Sequence, residues 1–211
     1  MTDLYPTVMV AGELHQQTGS IGIDRAKRWL HYSTRVSKVY TNTEKLFRDL
    51  LHFEWPHGGE SFSFDLGGKF RGAELEDQTF MAEVKAYKYE MDSPAEYTEF
   101  IAECYVALKG YPDRCDNLIW LSWSPFQAQS WHKHRSPESI RKHLLHKTNI
   151  YRVFGTVSSE EARSKIDEQT VFEMTKRLWL LTLCEEQEGL VITADNFRRL
   201  MTFMGIDGGP E

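Results

Sequence analysis

A strand, a helix and a second strand in the middle of this chain leave little choice of fold class. In the first strand Phe80, Ala82, Val84 and Ala86 alternate with Met81, Glu83, Lys85 and Tyr87. That period of two places successive side chains on opposite faces. Ser93 to Lys109 follows, with Tyr97, Phe100, Ile101, Cys104, Tyr105 and Leu108 at helical spacing. Ser93 as cap, Pro94 in the first turn and Glu96 at capping-box distance mark its start, and Gly110 and Pro112 its end. Asn117 to Ser124, NLIWLSWS, is apolar without alternation, as expected of a strand buried on both faces. A helix between two such strands crosses over the sheet right-handedly and makes them parallel neighbours. The predicted class is α/β, with the Asn117 strand parallel to the Glu83 strand.

Just upstream, Phe62, Phe64 and Leu66 alternate with Ser61, Ser63 and Asp65. This predicts a partner strand joined to the Glu83 strand by a glycine-bearing turn. Asp65 then lies on the polar face of one strand, and Glu83 and Lys85 share the more polar face of the other. Paired strands bring two carboxylates and one ammonium together outside a greasy sheet. Such an oxygen-rich site suits Mg²⁺ or Mn²⁺, and the Val84 carbonyl is a further oxygen beside it. A metal there polarises a phosphoryl oxygen and lowers the pKa of bound water, and a lysine orients that water and offsets negative charge. The bland alternative is that Glu83 and Lys85 form an ordinary ion pair on an exposed strand face.

An Asp near the end of one strand, then Glu-x-Lys in the next, resembles the PD-(D/E)xK nuclease superfamily, the restriction-endonuclease-like fold. Here the residues are Phe64-Asp65-Leu66 and Glu83-Val84-Lys85, with 83 − 65 = 18 positions between the acids. Phe64 stands where the motif's proline would be. The resemblance covers Gly12 to Ser124 and includes the order of elements: helix, two or three meandering strands, helix, strand. It implies a restriction-endonuclease-like core, a mixed central sheet flanked by helices, over residues 1–155. Residues 156–211 would be a helical C-terminal extension packed on the same domain. It further implies metal-dependent hydrolysis of a phosphodiester, most often in DNA, without a covalent intermediate. Asp65 and Glu83 would hold one or two Mg²⁺ (or Mn²⁺) ions and Lys85 would position the attacking water. Lys69, Arg71 and Lys88 would hold neighbouring phosphates. Some members use an acid on the first helix as a further metal ligand, for which Glu13 and Asp24 are the candidates. Ile23 stands where that acid is expected, and helix-start charge is the alternative reading of both. A nuclease subunit of a bacterial defence or mobile-element system, beside partner subunits or as a homo-oligomer, fits the family. The runner-up is a non-catalytic nuclease-fold subunit that binds nucleic acid or assembles a complex.

Charge bears on the substrate. The net charge is −6, which argues against coating nucleic acid by bulk positive charge. Pro125 to Arg152, however, carries Lys133, Arg135, Arg141, Lys142, Lys147 and Arg152 against Glu138 alone. That segment is +5, leaving −6 − 5 = −11 on the rest of the chain. His132, His134, His143 and His146 lie in it, and Trp123, Phe126 and Trp131 interleave with it. Basic residues beside aromatics suit phosphate contact and base stacking, so His132, Lys133, His134, Arg135, Arg141 and Lys142 join the nucleic-acid candidates. The alternative is a solvated helix, Ser136 to Lys147, with Ile140, Leu144 and Leu145 packed inward. The histidine spacing also mimics a zinc site, but no cysteine or carboxylate cluster completes it.

The remaining stretches are simpler. Gly12 to His31 is predicted helical, Val36 to Tyr40 a strand, and Thr43 to His52 a helix with Leu46, Phe47, Leu50 and Leu51 on one side. Ser158 to Glu188 is predicted to be one long helix and Thr193 to Met204 a short one, covering the sheet or forming a partner surface. No stretch has the apolar length of a membrane span. MTDLYPTVMV lacks a basic start and a long apolar segment, and three cysteines at no metal spacing favour a reducing cytoplasm. Neither a Gly-x-x-x-x-Gly-Lys-Ser/Thr loop nor a Gly-x-Ser-x-Gly elbow is present.

Overall fold

The computed structural model describes residues 11–33, 35–86, 93–123 and 128–205. Its first half runs α1 (Ala11–His31), β1 (Val36–Thr41), α2 (Arg48–Leu51), β2 (His52–Phe53), β3 (Phe62–Ser63), β4 (Leu66–Phe70), β5 (Thr79–Lys85), α3 (Ser93–Gly110) and β6 (Asn117–Ser122). Then come α4 (Pro137–Leu144), α5 (Ile150–Phe154), α6 (Ser159–Ser164), α7 (Glu168–Arg177), β7 (Leu178–Thr182), α8 (Glu185–Glu188) and α9 (Ala194–Phe203). Five strands form one mixed sheet in the order β1-β4-β5-β6-β7. β4 runs antiparallel to both β1 and β5, and β5, β6 and β7 run parallel. Among the described residues no helix is long and apolar enough to cross a membrane.

Strand alternation sorts the core into two layers. Phe80, Ala82 and Val84 pack with Ala26 and Leu30 of α1 on one face. Met81 joins Tyr97, Phe100, Ile101 and Cys104 of α3 on the other. All six residues of β6 are buried, with Leu118 and Trp120 on the α3 side and Ile119 and Leu121 on the α1 side. This explains its unbroken apolar run and its place beside β5, as predicted.

Three expectations are corrected. The partner strand expected over Ser61–Leu66 is shifted along the chain: β4 begins at Leu66 and takes in Gly67 and Gly68, and the glycine-bearing turn follows it around 71–78, with Gly72 at φ of +79°. A Cβ at Gly68 would come within 2.1 Å of the Lys38 carbonyl oxygen, so close strand contact demands glycine there, while a Cβ at Gly67 would press the Leu51 and Tyr40 side chains. Upstream of β4 only Phe62 and Ser63 pair, and they do so with β2 in a separate two-stranded sheet.

Second, the helix expected over Thr43–His52 shrinks to α2, and Leu46 and Leu50 are exposed. The Glu44 carboxylate instead accepts the Thr41 N–H at 2.9 Å and the Lys27 ammonium at 2.6 Å, holding a turn there.

Third, 158–188 is not one helix. Ser158 and Asp167 each cap a new helix start, and Leu178–Thr182 joins the sheet as β7 beside β6. The segment after residue 155 is therefore not purely helical, because it supplies the fifth strand. The predicted C-terminal helix is present as α9, capped by Thr193 and ended at Gly205 with φ of +69°.

Candidate active site

The site forms where β4 begins. Phe64 is fully buried against Phe100, and its N–H donates to the Leu51 carbonyl at 3.1 Å. This anchors the bend that sets Asp65 at the head of β4. The β4–β5 ladder starts at Leu66 opposite Ala82. One step further along β5, the Val84 N–H donates to the Asp65 carboxylate at 2.9 Å instead of to backbone. Glu83 and Lys85 follow Met81 on the α3 face, with Lys85 Nζ 2.9 Å from Glu83 Oε1. The Lys85 carbonyl accepts the Trp123 N–H on the β6 side, so ladder alternation turns the Val84 carbonyl to the side where Asp65 stands.

Helix α3 closes the site from above. Glu96, Glu99 and Glu103 recur at i, i+3 and i+7, one helix face. Glu96 Oε2 lies 3.6 Å from Lys85 Nζ, and Glu99 pairs with Arg152 at 2.6 Å. Glu103 feels the charges of Glu83, Glu99, Lys85 and Arg152. Lys85 Nζ also sits 5.9 Å from the Trp120 ring centroid, within cation–π range. Sequence reasoning used Glu96 only as a capping residue and did not single out Glu99, Glu103 or Trp120. The one-face spacing of the acids opposite Glu-x-Lys was the available signal.

Burial dominates the electrostatics. It pushes the Asp65 carboxyl up to about 8, and the Glu83 charge adds to the effect, against the Val84 N–H and Lys85. Burial likewise raises Glu83 despite its pairing with Lys85. Glu103 is held well above the carboxylate range by burial, then by Glu83 and Glu99. On Lys85 burial opposes the charge, but Glu83, Glu96 and Asp65 outweigh it and hold the ammonium above its ordinary range. The result is a crowd of carboxyls around one cation, in which a further cation would replace protons.

No family model, curated protein or solved structure matches this chain. Its chemistry is therefore read from its own atoms. Among the described residues no three His, Cys, Asp or Glu side chains are grouped to hold a metal. The donors at Asp65, Glu83 and the Val84 carbonyl are all oxygen, the donor type that hard divalent ions take.

The other predicted residues are distributed as follows. Lys69 is exposed at the far end of β4, paired with Thr79, four residues or about 13 Å along the strand from Asp65. Arg71 is buried and donates to the Val36 carbonyl and to Met201 Sδ, over the Phe197 ring. It ties α9 to β1 and is not directed at a phosphate. Lys88 lies outside the described residues, as does the side chain of Glu13. Asp24 is exposed on α1, on the sheet face opposite Glu83. Arg141 is engaged with Glu168 at 2.6 Å, and Arg135 donates to the Thr175 carbonyl at 3.2 Å. His132 is exposed, whereas Lys133, His134 and Lys142 line one cleft.

Proposed function

We propose that this chain is a metal-dependent phosphodiesterase acting on nucleic acid, DNA first, on a restriction-endonuclease-like core. The observation that carries the reading is the convergence of Asp65, Glu83 and Lys85 at one end of a mixed sheet. There the Val84 N–H fixes Asp65 beside Glu83, and Lys85 is anchored 2.9 Å from Glu83. The order helix, three antiparallel strands, helix, parallel strand adds the scaffold that the motif resemblance implies.

In this reading Asp65, Glu83 and the Val84 carbonyl would hold Mg²⁺ or Mn²⁺. When bound, the ion polarises the phosphoryl oxygen and makes water a nucleophile at neutral pH. Lys85 holds its proton throughout, orients the attacking water and stabilises the charge that develops on the phosphoryl oxygens. Glu96 and Trp120 keep that ammonium in place. Glu103, which burial, Glu83 and Glu99 push toward its protonated form, adds a carboxyl on the α3 side.

The test is cleavage of single-stranded DNA, double-stranded DNA and RNA by wild type and Glu83→Gln, with Mg²⁺, Mn²⁺ or chelator. Metal-dependent cutting that vanishes in the variant supports the proposal and identifies the substrate. A second reading, a non-catalytic nuclease-fold subunit, is favoured by one observation: Lys85 between Glu83 and Glu96 offsets their charge without a metal. Absence of both cutting and Glu83-dependent metal binding would put that reading in front.

A further inference from the structure

A cleft of about 710 Å³ opens between the first turns of α3 and the segment that runs from Ser130 through α4. Lys133, His134, Lys142, His143 and His146 face into it, together with the Thr98 hydroxyl. Ser130, Ser136 and Ser139 add hydroxyls, and among the described residues Glu138 is the one acid in its lining. Glu138 is 80% exposed and turned to Arg141 at 4.0 Å, so it leaves the lysines uncompensated. The volume is that of a small-ligand site, and the wall is cationic with neutral donors around it. Such a wall selects an anion bearing several acceptor oxygens.

One hydrogen-bond chain fixes the state of the wall without a ligand. The Thr98 hydroxyl donates its single proton to the Pro94 carbonyl at 2.8 Å. In its 2.9 Å contact with His143 Nδ1 it therefore accepts, and the ring proton sits on Nδ1. Burial, then the charges of Lys142, His134 and His146, pull His143 down to about 4. Nε2 consequently carries no proton at neutral pH. An anion in the cleft reverses the like-charge crowding and favours a second proton on this ring.

The cleft adjoins the acidic site. The Tyr97 ring lies 5.4 Å from His134 and 5.3 Å from His143 on one side, and 5.2 Å from Trp120 on the other. Trp120 in turn lies under Lys85. Glu96 and Thr98, two residues apart on α3, thus belong to the two different sites, separated by one layer of rings.

We propose that the cleft binds a phosphoryl group of the nucleic-acid strand, with Lys133 and Lys142 pairing to its oxygens and His143 gaining a proton as it binds. The proposal rests on the nuclease reading only for the source of the phosphate. The experiment uses Glu83→Gln protein in chelator, so that no cleavage intervenes. Histidine resonances are followed by NMR during titration with inorganic phosphate, thymidine 5′-monophosphate, thymidine and an oligothymidylate.

Both phosphates and the oligonucleotide are expected to move His143 toward the imidazolium shift, and thymidine is not. Lys133→Gln with Lys142→Gln, both at exposed positions, should abolish those shifts. It should also lower the salt slope of oligonucleotide binding by about 1.4, the value for two lost contacts to a single strand. Lys176→Gln, a surface lysine paired with Glu173, should change neither. No histidine shift with any phosphate compound overturns the site. Shifts with phosphate and monophosphate, but oligonucleotide binding unchanged in the double variant, overturn the strand as the source and leave a free-nucleotide site. Phosphate binding here without any metal-dependent cutting by wild type sinks the catalytic reading and leaves the cleft standing.

Discussion

Replacing Asp65 by asparagine is expected to make the metal-free protein more stable at neutral pH. Burial and Glu83 push this carboxyl from its ordinary 3.8 up to about 8. Between those two values the folded protein keeps a proton that the unfolded chain releases, so the unfolded state gains as pH rises. The stability that Asp65 contributes is whole below about 3.9 and is lost progressively as pH climbs through 8. At pH 7 the interval is about three pH units, which at 1.36 kcal/mol each caps the effect at about 4 kcal/mol. Asparagine has nearly the same volume, keeps an oxygen for the Val84 N–H and has no proton to lose. Half of that cap, a gain of about 2 kcal/mol, is expected, or about 4–8 °C in Tm for a chain of this size. Urea denaturation of both proteins in chelator from pH 4 to pH 8.5 measures it. The gap should be absent near pH 4, widen to pH 8 and then level. A variant less stable than wild type at pH 7, or a gap that does not change with pH, would refute the reasoning. Excess Mn²⁺ should narrow or reverse the ranking, because it stabilises only the chain that binds it.

Other outcomes follow from single contacts. Gly68→Ala forces a methyl against the Lys38 carbonyl and should cost about 3 kcal/mol or more, read as a lower denaturation midpoint. Arg71→Ala should cost about 2–3 kcal/mol through its lost buried hydrogen bonds and leave oligonucleotide affinity unchanged. Alkylation of the native protein should modify Cys184 alone, because Cys104 and Cys115 are buried and burial raises their thiols. Mass spectrometry should find one adduct in native protein and three after denaturation.

The parts legible in the sequence were those set by neighbours a few residues away. Helix α3 announced itself by caps and stripe, β6 by its apolar run, and the shared face of Glu83 and Lys85 by alternation along one strand. What was missed depends on distant contacts. The extension of β4 through Gly67 and Gly68 is invisible until the Lys38 carbonyl is brought against Gly68. Leu178–Thr182 looks like the end of a helix because leucine suits both states, and only the free edge of β6 decides for strand. Glu103 looks like part of a solvated helix face until the sheet closes beneath it, whereas Glu99 stays exposed and pairs with Arg152. The basic segment was legible as charge, but not its division: Arg141 serves Glu168, while Lys133 and Lys142 are left facing a cleft.

The position of β7 has a consequence for how the chain is made. Strand β6 is apolar on both faces, and its far edge stays open until residues 178–182 arrive to pair with it. During synthesis the nascent chain carries this exposed, ladder-competent edge through the more than fifty residues that separate β6 from β7. An unpaired apolar edge is a template for another chain's strand. Truncated products that stop before Leu178 would thus be aggregation seeds, and the residues that look like an accessory tail serve as the guard on the sheet's most adhesive border.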